Sequence, residues 1–303
     1  MRTPARDGRA GSRMRGVPVD SPLGDFLRAR RAEIRPEEVG IRSLSVRRVQ
    51  GLRRDEVAQL AGISTEYYLR LERGRGHHPS DQVLRALARA LRLDAGGLEY
   101  MTRLVRIQSG SLRPTEPPEL RDAIESNLAS LMGQWTSTPA YFTDRNMRVV
   151  FRNDLAEAIL PGSVSAGSNL VLKVFSRDWR SSDLDWEKSA RRFVSALRFY
   201  GDPHDPMLQD IVGLLSMRVP EFRRLWAAHE AAPLSAGTLR LDVAGFGHVE
   251  FTQQCLSLTG DENHVLTVLH AEPGSTAADA VRMLRAAQPT SGSHSLADLQ
   301  RTA

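Results

Sequence analysis

Residues 53–74 (RRDEVAQLAGISTEYYLRLERG) hold a dense set of side chains that can contact nucleic acid. An arginine such as Arg70 can bond guanine through two parallel hydrogen bonds, a glutamate such as Glu66 can accept from the amino group of cytosine, and Thr65 can touch a thymine methyl group or a phosphate. Further arginines in the segment and directly after it suit backbone phosphates, and they are Arg53, Arg54, Arg73 and Arg75. These residues can act together only if the fold presents them on one surface.

The spacing of apolar residues predicts two short helices that would position them. The first, 52–61, ends at Gly62, a turn position that tolerates left-handed backbone. The second, 65–73, begins after Ser64 as its N-cap. Ala58 is small where the helices cross, and the predicted buried wedge is Ile63, Tyr68 and Leu71. This is the pattern of a helix-turn-helix, whose second helix enters the major groove by its N-terminal residues. An ordinary helical hairpin is the alternative.

Further helices complete a predicted all-α N-terminal domain of about five helices, residues 21–108. Helical spacing of apolar residues predicts them over 21–34, 80–91 and 94–107. Residues 1–20 lack apolar periodicity and are predicted to be a disordered basic tail. The segment 109–119 (SGSLRPTEPPE) is the predicted linker.

The second half of the chain follows a different pattern. Residues 139–153 predict a β-hairpin, which precedes a predicted helix at 154–160 and a further strand at 169–175. Helices are then predicted over 185–200, 206–218 and 220–230, strands over 238–244, 248–258 and 264–271, and a closing helix over 275–287. This order predicts an α+β domain at 120–288, with helices on one face of an antiparallel sheet. A flexible tail is predicted at 289–303.

Aromatic residues of the second half could line a cavity with one polar end. The candidate pocket residues come from the first two strands and from two covering helices: Tyr141, Phe151, Phe193, Phe222, Arg223, Arg224, Trp226 and His229. An apolar cavity with arginine or histidine at one end suits a carboxylate with a hydrophobic tail. The alternative is a filled core, since aromatic residues at helical spacing commonly belong to one.

Charge and composition limit the classes of function. Residues 1–110 carry 22 Lys plus Arg against 13 Asp plus Glu, whereas the remainder carries 19 against 23. A basic N-terminal third favours a polyanionic partner there. The single cysteine, Cys255, excludes an intramolecular disulfide and fits a reducing compartment, so the cytoplasm is the expected location. No apolar run approaches the roughly 18 residues that would indicate a membrane span.

The second half also lacks a recognisable catalytic or metal motif. It contains no GxxxxGK, GxSxG or HExxH sequence. His264 and His270 share a predicted strand, but their separation of about 20 Å is too great for one metal ion. We therefore expect neither an enzyme nor a metal site.

Several stretches of the chain resemble known regulators. Residues 53–75, which end in RLERGR, resemble the XRE, or phage-repressor-like, class of helix-turn-helix. The longer run from LGDFLRARRAEI through LRALARALRL is similar to the actinobacterial MmyB-like regulators. The segments TPAYFTDRNMRVVFRNDLAEAIL, VPEFRRLWAAHE and GHVEFTQQCLSLTGDENHVLTVLHAEPGSTAADAVRMLR resemble the PAS-like ligand-binding domain of that family. The resemblance covers roughly residues 21–287.

The resemblance carries expectations for both halves. It implies that the exposed, base-reading face of the recognition helix is formed by Ser64, Thr65, Glu66, Tyr67 and Arg70. It also implies that the PAS-like domain holds a small molecule between sheet and helices, and a fatty acid or another small hydrophobic acid is the ligand class implied. The chain departs from the family pattern before Asn153, where Arg152 stands in place of a frequent tryptophan.

Together these observations predict a sequence-specific transcription regulator controlled by a small ligand. Its expected partners are double-stranded DNA, the ligand and a second copy of the chain, because repressor-type readers usually bind two half-sites. In the alternative, the C-terminal domain is a protein-interaction or dimerisation module without a small ligand.

Overall fold

The computed structural model describes residues 21–41, 49–75, 78–111, 118–258 and 261–287. The chain divides into two compact units, the first ending at His78 and the second beginning at Pro79. The predicted tails at 1–20 and 289–303 lie outside the described residues, as does most of the predicted linker.

The described residues of the first unit form three helices and a short 3-10 turn. They are α1 (Pro22–Glu33), the 3-10 turn (Pro36–Val39), α2 (Arg54–Ala61) and α3 (Thr65–Glu72). α1 begins where the sequence predicts, because the Ser21 hydroxyl accepts a hydrogen bond from Gly24 N at 3.1 Å. α3 packs against both α1 and α2, and the shared core is Leu23, Phe26, Leu27, Leu52, Val57, Tyr68 and Leu71.

The second unit opens with three helices, α4 (Asp81–Ala90), α5 (Ala95–Gln108) and α6 (Pro118–Gln134). The Ser80 and Asp94 side chains cap α4 and α5 by accepting hydrogen bonds from Val83 N and Gly97 N, each three residues further on. α4 packs on α5. All five helices predicted for the N-terminal part are therefore observed, whereas α6 was not predicted.

A five-stranded antiparallel sheet forms the centre of the second unit. Its strands are β1 (Ala140–Asp144), β2 (Val149–Arg152), β3 (Gly237–Val243), β4 (Gly247–Leu258) and β5 (Asp261–His270). Their spatial order is β2-β1-β5-β4-β3, so the first and last strands of the chain become neighbours at the centre. The prediction of an all-α helix-turn-helix part followed by an α+β domain with an antiparallel sheet is confirmed.

Six helices connect β2 to β3, and one follows β5. They are α7 (Asp154–Ile159), α8 (Leu170–Val174), α9 (Arg177–Ser182), α10 (Trp186–Tyr200), α11 (Pro206–Arg218), α12 (Pro220–Ala227) and α13 (Thr276–Ala287). The prediction of a strand at 169–175 is wrong, because Asn169 caps a short helix there. Its side chain accepts from Val171 N at 3.0 Å and from Leu172 N at 3.2 Å.

The two faces of the sheet carry different residues. α6 covers one face, where Leu128 and Met132 pack on Ala140, Phe142 and Leu266. Successive residues of a strand point to opposite faces. The other face, here called the inner face, therefore carries the alternate residues Tyr141 and Thr143 of β1, Thr267 of β5, and Gln253 and Cys255 of β4.

Candidate nucleic-acid interface and ligand site

The N-terminal end of α3 presents polar side chains to the surface. Ser64 is the N-cap, and its hydroxyl accepts from Tyr67 N at 3.1 Å. Ser64, Thr65 and Glu66 are exposed, Tyr67 is half-buried, and Arg70 is exposed one turn further on. The side chains predicted to read bases therefore lie on the exposed side of this helix.

The opposite side of α3 is held by the predicted wedge. Tyr68 and Leu71 are buried and Ile63 is half-buried. Ala58 of α2 is also buried. Gly62 ends α2 with a φ of 66°, a conformation that costs glycine little and other residues more. The sharp turn between α2 and α3 thus follows directly from the sequence.

A buried carboxylate joins the three helices of the first unit. Glu72, at the end of α3, is 1% exposed and accepts from Arg31 Nε of α1 at 2.8 Å and from Arg54 Nε of α2 at 2.6 Å. Burial raises the pKa of the neighbouring Tyr68 hydroxyl, and the negative charge of Glu72 raises this pKa further. Sequence reasoning missed Glu72 as an organising residue. A carboxylate on the apolar side of α3, one position after Leu71, was the available signal.

The four arginines predicted to meet phosphates are all exposed: Arg53, Arg54, Arg73 and Arg75. Arg54 stands out because its Nε is committed to Glu72 while about half of its side chain reaches the surface. The buried carboxylate therefore fixes the direction in which this guanidinium leaves the helix.

Glu66 and Arg70 form an ion pair one turn apart on α3. Arg70 Nη2 lies 2.7 Å from Glu66 Oε1, and both side chains are more than half exposed. An exposed pair of this kind contributes only a few tenths of a kcal/mol. The pair can therefore open on contact with bases at little cost.

In the second unit, a row of polar side chains crosses the inner face of the sheet. Thr267 lies between Tyr141 and Cys255, which are its register partners on β1 and β4. The Cys255 thiol is 3.7 Å from the Thr267 hydroxyl and accepts from Gln253 Nε2 at 3.4 Å. Burial raises the pKa of both the Tyr141 hydroxyl and the Cys255 thiol. Both groups are thus held in their neutral, hydrogen-bonding forms.

Arg192 of α10 lies close to this row. Its charge opposes the effect of burial on the pKa values of Tyr141 and Cys255. Its Nη2 donates to Ser235 O at 2.6 Å, and its Nε is buried without a hydrogen-bond partner. Gly237 leaves room for the guanidinium, since a Cβ there would come within 2.7 Å of Nη1. Among the described residues no carboxylate pairs with Arg192.

Aromatic rings and a second arginine gather between α10 and α12. Phe222 and Trp226 stack at 5.8 Å, and the Arg198 guanidinium lies 3.8 Å from the centre of the Trp226 ring. Arg198 Nη1 is 3.3 Å from His229 Nδ1. Phe193 belongs to a separate contact, with Trp179 at 6.4 Å.

The predicted pocket residues therefore do not form one group. Tyr141, Phe193 and Phe222 are buried, and Trp226 and His229 are half-buried around Arg198. Phe151 packs on the opposite face of the sheet, against the cluster under α6, so the prediction that it shares a pocket with Tyr141 does not fit the strand register.

The two arginines predicted at the polar end of the pocket point away from the core. Arg223 donates to Ser216 O on the surface, and Arg224 pairs with Glu187 at 2.7 Å with both side chains exposed. On α10, by contrast, Arg198 is buried and Arg192 is half-buried. The signal for Arg198 was its place as the one charged residue of the run 193–200 (FVSALRFY) of α10.

The described residues contain neither a membrane-spanning helix nor a cluster of metal-binding side chains. No helix among them is long and apolar enough to cross a membrane. No three His, Cys, Asp or Glu side chains in the same ranges come together as they would around a metal ion.

Comparisons with known proteins agree with this architecture. Residues 22–100 match a family model described as a helix-turn-helix domain. Residues 124–284 match the MmyB-like transcription regulator ligand binding domain, which spans more than half of the chain. A search of curated proteins found no match. The α3 surface and the sheet domain are thus parts of a DNA-binding regulator, and the chain belongs to the MmyB-like transcription regulators.

Proposed function

We propose that this chain binds a specific DNA sequence through α3 and that a small hydrophobic carboxylic acid, bound at the inner face of the sheet, controls that binding. We assign no catalytic step to it. The observation that carries the DNA part is the exposed N-terminal face of α3, Ser64 to Tyr67 with Arg70, set on a buried wedge. The observation that carries the ligand part is Arg192 beside the buried polar row.

The DNA part has a direct chemical rationale. The exposed side of α3 offers a hydroxyl and a carboxylate in its first turn and the Arg70 guanidinium one turn later, which are groups that discriminate base edges in the major groove. Arg54, oriented by Glu72, suits a phosphate, because its position is fixed while its outer part is exposed. Arg70 is thus a base reader in this proposal, and Arg54 is a positioning contact.

Two substitutions separate these roles. Arg70→Ala should cost about 1 to 3 kcal/mol on the preferred sequence and relax selection at one base position. Arg54→Ala should weaken binding to all sequences and make the slope of log affinity against log salt concentration shallower by about one. Selection from a randomised DNA pool followed by titration at several salt concentrations measures both, with Arg224→Ala as the charge-matched control. Equal losses on preferred and random DNA for Arg70→Ala would contradict its role.

The ligand part depends on unmatched charge in a buried polar setting. A guanidinium with a buried, unsatisfied Nε and no carboxylate partner among the described residues suits a carboxylate from outside the chain. The neutral Tyr141 and Cys255 groups nearby could share in hydrogen bonding to the same head group. The next residue along α10, Phe193, is buried and begins an apolar environment for a hydrocarbon tail.

Native mass spectrometry of the purified full chain, followed by organic extraction, tests this part. We expect a stoichiometric hydrophobic acid, and we expect Arg192→Gln to lower the affinity for dodecanoate at least tenfold while leaving that for dodecanol within twofold. Arg191→Gln, an exposed neighbour on the same helix, is the matched control. An empty protein that binds neither compound would favour the second candidate, a dimerisation or interaction domain with a filled core. The close ring packing around Phe222 is the observation that favours that candidate.

The DNA-bound form is proposed to be a homodimer. Readers of this kind bind half-sites about 34 Å apart on one side of the duplex, which requires two copies of α3. Sedimentation velocity with and without the selected DNA should give a mass of two chains. The mass of a single chain without DNA, together with one chain per duplex in the presence of DNA, would rule the dimer out.

A further inference from the structure

α5 carries two separate buried stripes. One stripe, Gly97, Met101 and Leu104, follows ordinary core spacing. The other consists of the half-buried Gly96 and the buried Tyr100 and Arg103 at i, i+4 and i+7, so it forms a second continuous face of the helix. An arginine that is only 8% exposed is an uncommon member of such a face.

The second stripe contacts the part of the chain that matches the ligand-binding domain. Arg103 Nη2 donates to Tyr200 O at 2.9 Å. The rings of Tyr100 and Phe199 lie 6.3 Å apart. A Cβ on Gly96 would lie 3.2 Å from Pro233 Cδ. These contacts join residues about 100 to 137 positions apart in the sequence.

The point that α5 contacts is itself a junction. Tyr200 is the last residue of α10, so its carbonyl is among those that a helix leaves without an internal partner, and Arg103 supplies one. The Tyr200 hydroxyl interacts with the backbone of Leu234, before β3, and with the Ser257 side chain of β4. α5 is therefore bonded where α10, the segment before β3 and the sheet meet.

α10 links this junction to the candidate ligand site. Arg192 and Phe193 lie about two turns before Tyr200, or roughly 10 Å along the same helix. Residues 193–200 are all buried, so this part of α10 is enclosed by the rest of the domain. A shift of the helix at Arg192 on ligand binding would reach Tyr200 and hence Arg103.

We infer that α4 and α5 are the output element of the ligand-binding domain and move with it, so that the DNA-reading unit proper is α1 to α3. This role in ligand response rests on the function proposed above. The division of the chain at His78 and Pro79 supports it. The helix-turn-helix family model matches a longer region, 22–100, that includes α4 and the start of α5, so these two helices connect the family's DNA-binding region to the ligand-binding domain. A displacement of α10 would then move α5, and α4 would move with α5 because the two helices pack together. The segment that joins α4 to α3 would transmit this movement to α3.

Hydrogen exchange of the full chain without ligand tests which unit holds α5. Arg103→Gln should speed exchange in α5 and around Phe199 by about tenfold or more, since it removes a hydrogen bond to a charged group, and leave α2 and α3 unchanged. Arg103→Lys, which can still donate to the carbonyl, should restore part of the protection. Arg106→Gln, on the exposed side of α5, is the control. The inference would be overturned if Arg103→Gln accelerated exchange in α2 and α3 as much as in α5, or if it left exchange in α10 unchanged.

A second measurement tests the output role. DNA affinity of the full chain is titrated with and without saturating dodecanoate for the natural chain and for Arg103→Gln. The variant should bind dodecanoate within twofold of the natural chain, while the ratio of its two DNA affinities falls to about one. An unchanged ratio would overturn the output role. If the natural chain itself fails to bind dodecanoate, the proposed ligand class is refuted, and the exchange experiment still decides where α5 belongs.

Discussion

Replacing Glu72 with glutamine tests whether the buried carboxylate stabilises the DNA-reading unit. Glu72 is 1% exposed, and its partner Arg31 is 15% exposed, whereas Arg54 is 48% exposed. Removing one partner of a buried ion pair costs roughly 3 to 5 kcal/mol, and the half-exposed Arg54 adds less than about 1 kcal/mol. Because the amide keeps one acceptor oxygen, we expect Glu72→Gln to cost about 3 kcal/mol.

The matched control is Glu66→Gln on the same helix. Glu66 is also paired with an arginine, at 2.7 Å, but both partners are exposed. Its loss should cost less than about 0.5 kcal/mol. The two substitutions remove the same charge from the same helix and differ mainly in burial.

Native-state hydrogen exchange of the full chain measures both effects. Since 1.4 kcal/mol corresponds to a factor of ten, the most protected amides of α1 to α3 should lose about 100-fold protection in Glu72→Gln and less than about threefold in Glu66→Gln. The amides of the sheet should not change. Equal losses for the two variants would refute the argument that burial gives Glu72 its importance.

Three further outcomes follow from the second unit. The Asn153 side chain accepts hydrogen bonds from Ala140 N and Ala156 N and donates to Trp135 O and Thr138 O. Asn153→Ala should therefore lower the free energy of unfolding, measured by tryptophan fluorescence in urea, by about 2 to 4 kcal/mol. A loss under about 1 kcal/mol would contradict this. Cys255 is half-buried, and desolvation raises the pKa of its thiol. At pH 8, iodoacetamide should therefore alkylate Cys255 far more slowly than it alkylates the thiol of glutathione; the rate should increase as the pH rises toward the pKa of Cys255 and decrease when dodecanoate is bound. Equal rates for Cys255 and glutathione would contradict a desolvated thiol. Gly237→Ala should displace Arg192 and weaken dodecanoate binding in calorimetric titration, whereas unchanged affinity would separate Arg192 from the ligand.

Local sequence signals predicted much of the fold. Ser64, Gly62 and Ser80 were predicted from residue type alone and are found as caps or turn residues, because each acts on its immediate neighbours along the chain. The long strands β4 and β5 and the helix α11 also lie within a few residues of their predicted bounds. In these segments local preference and tertiary packing favour the same structure.

The incorrect predictions, and the charged residues that were not predicted to be buried, have physical causes beyond the local sequence pattern. Residues 169–175 combine a short apolar run with a capping asparagine, and a run of that length does not separate strand from helix. Arg223 and Arg224 follow Phe222 in sequence, but helical geometry turns them about 100° and 200° away from it, toward solvent. The sequence around Glu72 and Arg198 indicates an unusual charge among apolar positions. The partners of Glu72, Arg103 and Arg198 could not be predicted, because they lie far away in the sequence.

The proposed function requires that ligand binding and DNA binding are coupled in the same chain. The most direct test is to strip the purified protein of any extracted acid, add the identified compound back, and measure affinity for the selected DNA before and after. A change of at least fivefold, typical of coupled sites, that disappears in Arg192→Gln is the predicted result. Stoichiometric binding of the compound with unchanged DNA affinity would contradict the claim.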